Sequence, residues 1–369
     1  MSLKQDIIAI GKNVLTKSVK KRILVIESDD WGSIRTRDRE SYKLLVKRSI
    51  IKENPLDETD SIATSRDLEV LIDELSSITS QNGQKPVLTC FFNTGNPDFD
   101  KIQNSGFETY SNLSYFDHLK STGEYGDIMP IWNNALEDET FSLAYHAREH
   151  LCVPMWMDLL KKSDKTATFS FEQEYYSFPV NNSAFPINSL RPSLFYRNDN
   201  ERSDLLKSLD EGLKDLSQGF GKNITVFCPP NGLSCDAVDN HLSKFSIKGI
   251  ISKIIRTEPN NGRLKKRYKG FGKKKQNYRL YYRNCGFEPL LGRGIEKCLR
   301  DISFAFRFNN AAIISTHRVN YSSRINQKIS GFGAQNLSNL LKKVLHLWPD
   351  TIFMSSEEYV RYLDTETPA

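Results

Sequence analysis

The sequence predicts an α/β fold: a distorted (β/α) barrel of about seven parallel strands. Three observations lead there. Seven short, continuous apolar runs alternate with amphipathic stretches, the pattern of parallel strands buried on both faces. The chemically capable residues collect just after the C-terminal ends of these runs, where parallel α/β folds place their sites. A hydrophobic content of 38% and a charged content of 26% over 369 residues suit a sizeable core. One elaborated domain over 1–369 is expected, with loop insertions near 105–135, 171–200 and 260–285.

The first run, Arg22–Ser28, reads as a buried strand that delivers Asp29 and Asp30 to its tip. Adjacent residues there can face different sides of a pocket, so one carboxylate can bind metal while its neighbour takes a proton. The alternative is that one caps the following helix and the other is solvated. Ser65–Ser77 is a helix with Leu68, Leu71, Ile72 and Leu75 on one stripe and Ser65 as its N-cap. Pro86–Phe92 is the second strand and Phe141–His146 the third. His146 and His150 follow at i, i+4 spacing, which on a helical turn puts both imidazoles on one face, as a metal-binding pair requires.

A helix from about Ser203 to Leu216 precedes the strand Asn223–Pro229. That strand ends in Pro229-Pro230-Asn231-Gly232, a rigid turn that can hold backbone N–H groups toward an oxyanion or be a turn and nothing more. Ile247–Ile251 is the fifth strand. Ala311–His317 is the sixth and ends in an imidazole, with Arg318 and Asn320 beyond it; a core histidine with one backbone partner is the competing reading. The helix Gln335–Leu347 and the strand Thr351–Ser355 close the pattern.

Tyr110–Asn134 and Phe171–Asn200 lack clean periodicity and read as long loops or small excursions over the barrel mouth. Arg263–Arg283 holds ten Lys or Arg, five aromatics and no acidic residue. It reads as a solvated insertion, or as an attractor for an anionic substrate such as a nucleotide- or lipid-linked sugar. Basic residues interleaved with aromatics also suit nucleic acid, but no recognised motif accompanies them and no specific nucleic-acid partner is expected. No apolar run approaches the roughly 20 residues of a membrane span. The six cysteines, Cys90, Cys152, Cys228, Cys235, Cys285 and Cys298, show no C-x-x-C spacing, and the first residues do not resemble a secretory signal. Both argue for a reducing cytoplasm.

In order along the chain, these residues resemble the polysaccharide deacetylases of the NodB-homology type, carbohydrate esterase family 4. That family's first motif ends a strand in Thr-Phe-Asp-Asp-Gly, of which Glu27-Ser28-Asp29-Asp30-Trp31 is a diverged version. Its His-(Ser/Thr)-x-x-His motif is matched by His146 and His150, its Arg-Pro-Pro-Tyr-like turn by Phe227–Gly232, and its final Leu-x-His by His317. The resemblance implies a barrel with fewer than eight strands and one divalent metal, usually zinc. It implies Asp30, His146 and His150 as ligands, Asp29 as the base that activates water, and His317 as the acid that protonates the leaving amine.

Two imidazoles and one carboxylate leave an open coordination position for such a metal. The expected function is therefore removal of an acetyl group from an N-acetylated sugar or glycan precursor. A carbohydrate-binding barrel without catalysis is the alternative. An iron oxygenase triad is a third reading, opposed by the parallel α/β pattern and the lack of a His-x-Asp pair.

The chain departs from the family at Trp31 for Gly, Cys228 for Arg and Asn231 for Tyr. Arg148, Arg191 or Arg283 is expected to take over from the missing arginine, and Arg283–Glu288 is the region expected to hold the family's fourth motif. Trp31, Arg148, Pro230, Asn231 and Arg283 are the candidate substrate or oxyanion residues. Trp31, Trp132, Trp156 and Tyr145 are candidates for stacking on sugar rings, or for packing.

Overall fold

The computed structural model describes residue 13 and residues 18–180, 186–269, 275 and 277–365. The first residues, and parts of the 171–200 and 260–285 insertions, lie outside them. The described strands are β1 (Ile23–Trp31), β2 (Leu88–Phe92), β3 (Gly95–Pro97), β4 (Asn112–Ser114), β5 (Phe141–Tyr145), β6 (Val226–Phe227), β7 (Gly249–Ile251), β8 (Ile255–Asn260), β9 (Arg263–Tyr268), β10 (Arg279–Tyr281), β11 (Cys285–Gly286), β12 (Ala312–His317) and β13 (Ile352–Met354). Nine form one sheet in the order β10-β7-β6-β5-β2-β1-β12-β11, with β13 also paired to β1. All of its pairings are parallel. Each of the seven apolar runs contains one of these strands.

The sheet's two ends explain its shape. β10 and β11 lie at opposite ends of the strand order, yet only Tyr282, Arg283 and Asn284 connect them. Four Cα steps span at most about 14 Å, so the two edges must come together and the sheet must curl into a nearly closed barrel. Asn284 ties this connection to β12: its side-chain amide donates to the Ala311 carbonyl at 2.8 Å, and its oxygen accepts from the Ile313 N–H at 2.8 Å.

Alternation along β1 separates two packed layers. Ile23 and Val25 join Phe91, Ala144, Val226 and Ile313 in one cluster. Leu24 and Ile26 pack instead with Leu68, Leu71 and Leu75 of the helix Ser65–Ser76 and with Leu337 and Leu341 of the helix Lys328–Leu347. β1 is buried along its whole length, and each such Leu or Ile contributes roughly 1.5–3 kcal/mol. The cap of the first of these helices is Thr64, in a reciprocal capping box with Asp67, and Ser65 is already helical.

Two expectations need correction. Tyr110–Asn134 is mostly helical, with helices Tyr115–Ser121 and Tyr125–Glu137. Ser114 caps the first, while Ile128, Met129 and Trp132 of the second face the core; Pro130 inside that helix disguised its pattern. The basic segment is partly built: β9 pairs antiparallel with β8, and β10 joins the large sheet. At three and two residues, β10 and β11 are too short to stand out as apolar runs. All six cysteines are free and buried, and no described helix is long and apolar enough to cross a membrane.

Candidate metal centre

The tip of β1 is irregular. Its pairing with β2 shifts register between Ser28 and Trp31, and Asp30 adopts φ +70°. A non-glycine residue there costs roughly 1–3 kcal/mol unless its surroundings hold it. Arg318 holds it, donating from Nε to the Asp30 carbonyl at 2.9 Å. The kink breaks strict alternation: Asp29 and Asp30 both reach cavities at the barrel mouth, while Trp31 turns into the core. There Trp31 packs edge-on against Trp132 at 5.3 Å. Trp31 is therefore a packing residue, and the fully buried Trp132, Trp156 and Tyr145 are no sugar platforms either.

His146 and His150 meet without the expected helical turn. Ala147 takes φ +67°, and the next helix begins only at Val153. Neighbouring strands claim this loop's backbone: His146 N–H donates to Phe92 O at 2.7 Å and Gly95 N–H to Arg148 O at 2.8 Å. The two rings end 5.3 Å apart.

Asp30 Oδ1 lies 3.3 Å from His146 Nε2 and 3.6 Å from His150 Nε2. The donor atoms of the three residues fall within 4.8 Å of one another. His146 Nδ1 is 2.6 Å from the Cys228 carbonyl, which fixes a proton there and turns Nε2 toward Asp30. Asp30 Oδ1 is buried with no hydrogen-bond partner, a costly condition unless a ligand completes the site. Burial pushes His150 down to about 3, with His146 and Arg35 adding to the effect against Asp30, so its imidazole is neutral. Two imidazoles and one carboxylate, with an orphaned oxygen at their centre, fit a divalent ion of the zinc type. Asp29, His146 and Cys228 form a second close group, but Asp29 is already engaged.

That engagement is with Arg283. Its Nη1 and Nη2 donate to the two Asp29 oxygens at 2.5 and 2.7 Å, and its Nε donates to Glu27 Oε2 at 2.5 Å. Glu27 Oε1 accepts from Tyr281 at 2.7 Å and from Ser356 at 2.6 Å. Burial opposes ionisation of Asp29, but Arg283, with His146 and His317, outweighs it and holds the carboxyl below its ordinary range. The other two candidate arginines serve elsewhere. Arg148 pairs with Glu149 and Glu211 beside a separate cavity, and Arg191 binds Asp57 at 2.6 Å.

His317 sits opposite Asp29 in the β1–β12 register. Its Nδ1 lies 2.6 Å from Glu288 Oε1, and Glu288 Oε2 accepts from Asn320 at 2.6 Å. Burial disfavours its charge, but Glu288, with Asp30 and Asp29, prevails and lifts its pKa to about 9. At neutral pH this imidazole is a proton donor.

A cavity of about 520 Å³ joins Asp29, His146, His150, Arg283, His317 and Lys253. Asn231, at φ +55°, also lines it, whereas Pro230 is buried in the turn behind. The N–H groups of Gly232 and Leu233 are spent on the Pro229 and Pro230 carbonyls at 2.8 and 3.2 Å. Those two therefore do not form the expected oxyanion donors.

Glu27, Arg35 and Lys253 join the site without having been candidates, and Glu288 ends the region expected to hold the fourth motif. Glu27 had a visible sign, a lone acid inside an apolar strand. Arg35 donates to Asp30 Oδ2 at 3.1 Å and is itself tied to Asp60 at 2.5 Å; nothing in the sequence marked it.

No family model and no curated protein matches the chain. Solved structures do resemble it in fold. A Parabacteroides distasonis protein described as a glycoside hydrolase/deacetylase aligns with a TM-score of 0.50 and 10% identity, over 96% of this chain and 74% of its own. A Mycobacterium smegmatis protein described as a polysaccharide deacetylase gives a TM-score of 0.44 and 10% identity, over 96% and 95%. A 4-alpha-glucanotransferase from Thermococcus litoralis gives 0.48 and 8%, and there the chain spans only 41% of the other's length. The likeness is one of fold: a distorted (β/α) barrel of the kind seen in the glycoside hydrolase/deacetylase structure.

Proposed function

We propose that the protein is a metal-dependent hydrolase that removes an acetyl group from an N-acetylated sugar or glycan precursor. One observation carries this reading: an orphaned Asp30 oxygen between two imidazoles opens on the same cavity mouth as an arginine-held Asp29 and a glutamate-held His317. The Parabacteroides distasonis barrel, described as a glycoside hydrolase/deacetylase, agrees with it.

Asp30, His146 and His150 would hold the ion. When bound, zinc would polarise the acyl carbonyl and bring the pKa of a water toward about 7. Asp29 then takes the attacking water's proton, in an orientation set by the two-pronged grip of Arg283. His317, carrying its proton on the ring nitrogen not held by Glu288, gives that proton to the departing amine. The opposed preferences of the two groups, one held ionised and one held protonated, assign base and acid.

The direct test incubates zinc-loaded protein with a panel of N-acetylated monosaccharides and oligosaccharides and follows acetate and free amine together. Release of both supports the reading. Saccharide binding without release, unchanged by Asp29→Asn, would instead leave a carbohydrate-binding barrel.

A further inference from the structure

Beyond the acetyl group, the cavity wall carries a cation that the reaction above does not use. Lys253 Nζ donates to the Asn231 carbonyl at 3.2 Å. Its stem crosses Gly232, where a Cβ would come within 2.8 Å of Lys253 Cε, so the glycine at φ +66° leaves the room in which this lysine lies. Among the described residues no carboxylate pairs with it. The cavity's lining carboxylate, Asp29, is already taken by Arg283.

The β8–β9 ribbon begins at this point. Ile254 lines the cavity, and its carbonyl accepts from the Lys269 N–H at 3.1 Å, tying the far end of β9 to the rim. A bridge between Leu233 and Thr257 fastens β8 to the turn behind Gly232. β9 is exposed throughout. Arg267 is matched by Glu258 at 3.1 Å, whereas Arg263, Lys265 and Lys266 have no carboxylate partner among the described residues. Ile255 and Tyr268, 59% and 66% exposed, face each other across the ribbon at its start, two residues along the chain from Lys253.

From this we infer that Lys253 forms an oxyanion subsite, so that the substrate is an N-acetylated sugar bearing a phosphate or carboxylate. The inference rests on the deacetylase reading of the same cavity. An ammonium fixed at the wall forms a charge-assisted hydrogen bond to such a group, and the ribbon's unmatched cations raise the local concentration of anions.

The test compares kcat/KM of zinc-loaded protein for N-acetylglucosamine, N-acetylglucosamine 1-phosphate and N-acetylglucosaminuronic acid. At least one anionic sugar should exceed the neutral one by about tenfold or more, as a hydrogen bond to a charged group allows, and which one does so separates phosphate from carboxylate. Lys253→Gln should collapse that preference, mainly through KM, and Lys253→Arg should restore most of it. Equal values for all three sugars, or a preference untouched by Lys253→Gln, would overturn the subsite.

If no sugar releases an amine, the deacetylase reading fails and the subsite is judged by calorimetry with N-acetylglucosamine 1-phosphate. Binding about tenfold weaker to Lys253→Gln supports it, and equal or undetectable binding to both proteins removes it.

Discussion

The turn Cys228–Gly232 and the seam Tyr282–Asn284 both come close to Asp29, and they contribute opposite things. The turn gives backbone: the Cys228 carbonyl orients His146, and the thiol itself is buried and pushed by that burial above its ordinary range, so it carries no charge. The seam gives charge, a guanidinium shared between Asp29 and Glu27. The family resemblance expects arginine in the turn. A barrel mouth admits any loop that ends there, so a cation can reach one carboxylate from another strand, provided the strand beneath supplies a second carboxylate to balance it.

That comparison has meaning only around an occupied centre, so the largest effect comes from emptying it. Asp30→Ala should lose bound zinc in elemental analysis and reduce turnover by at least roughly a thousandfold. Next, Asp29→Asn should keep zinc while reducing kcat by about 10²–10⁴. Retained metal with lost turnover distinguishes the proton-handling group from the ligands; loss of zinc in this variant would merge them.

Breaking the seam comes third. Arg283→Ala leaves Glu27 and Asp29 as neighbouring buried carboxylates, and removing one partner of a buried pair costs about 3–5 kcal/mol. A clear fall in Tm is expected together with a fall in kcat that exceeds any change in KM. Arg283→Lys, which keeps the charge but not the two-pronged grip, should recover more stability than kcat. If both variants matched the parent in kcat, the seam would be structural only.

Glu288→Gln acts on the other proton site. His317 must be protonated to serve as acid, so activity is lost as pH rises through its pKa. Glu288 raises that pKa, and removing its charge should move the alkaline limb of kcat/KM to lower pH. An unmoved limb would take His317 out of the acid's role.

The fold was legible because strands buried on both faces write continuous apolar runs, and all seven runs contain strands. The site was half legible. Asp29, Asp30, His146, His150 and His317 sit at the ends of such runs, but their partners do not. Arg283 was one of three arginines with nothing in the sequence to rank them, because its strands are too short to register as apolar runs. The His146–His150 spacing suggested a helix, yet Ala147 at φ +67° makes a loop that β2 and β3 hold from outside. Trp31 looked like a loop aromatic because the kink at Asp30, which turns it inward, leaves no trace in residue type.

The smallest effect should come from Cys228. The turn works through its main-chain carbonyl; the thiol, near Asp29 and His146, has one weak hydrogen bond, at 3.9 Å to the Pro229 carbonyl. Cys228→Ala keeps the carbonyl and removes one buried sulfur, so kcat should change less than about threefold and stability by about 1 kcal/mol. Cys228→Arg, which restores the residue type the resemblance expects, should do worse. A second guanidinium would meet an Asp29 whose oxygens are both already bound, and an unmatched buried cation is costly. Introduced into Arg283→Ala, the same arginine would meet a vacant carboxylate, and its effect on kcat should change sign. Additive effects of the two substitutions, measured as a double-mutant cycle in kcat, would show that turn and seam do not serve one carboxylate.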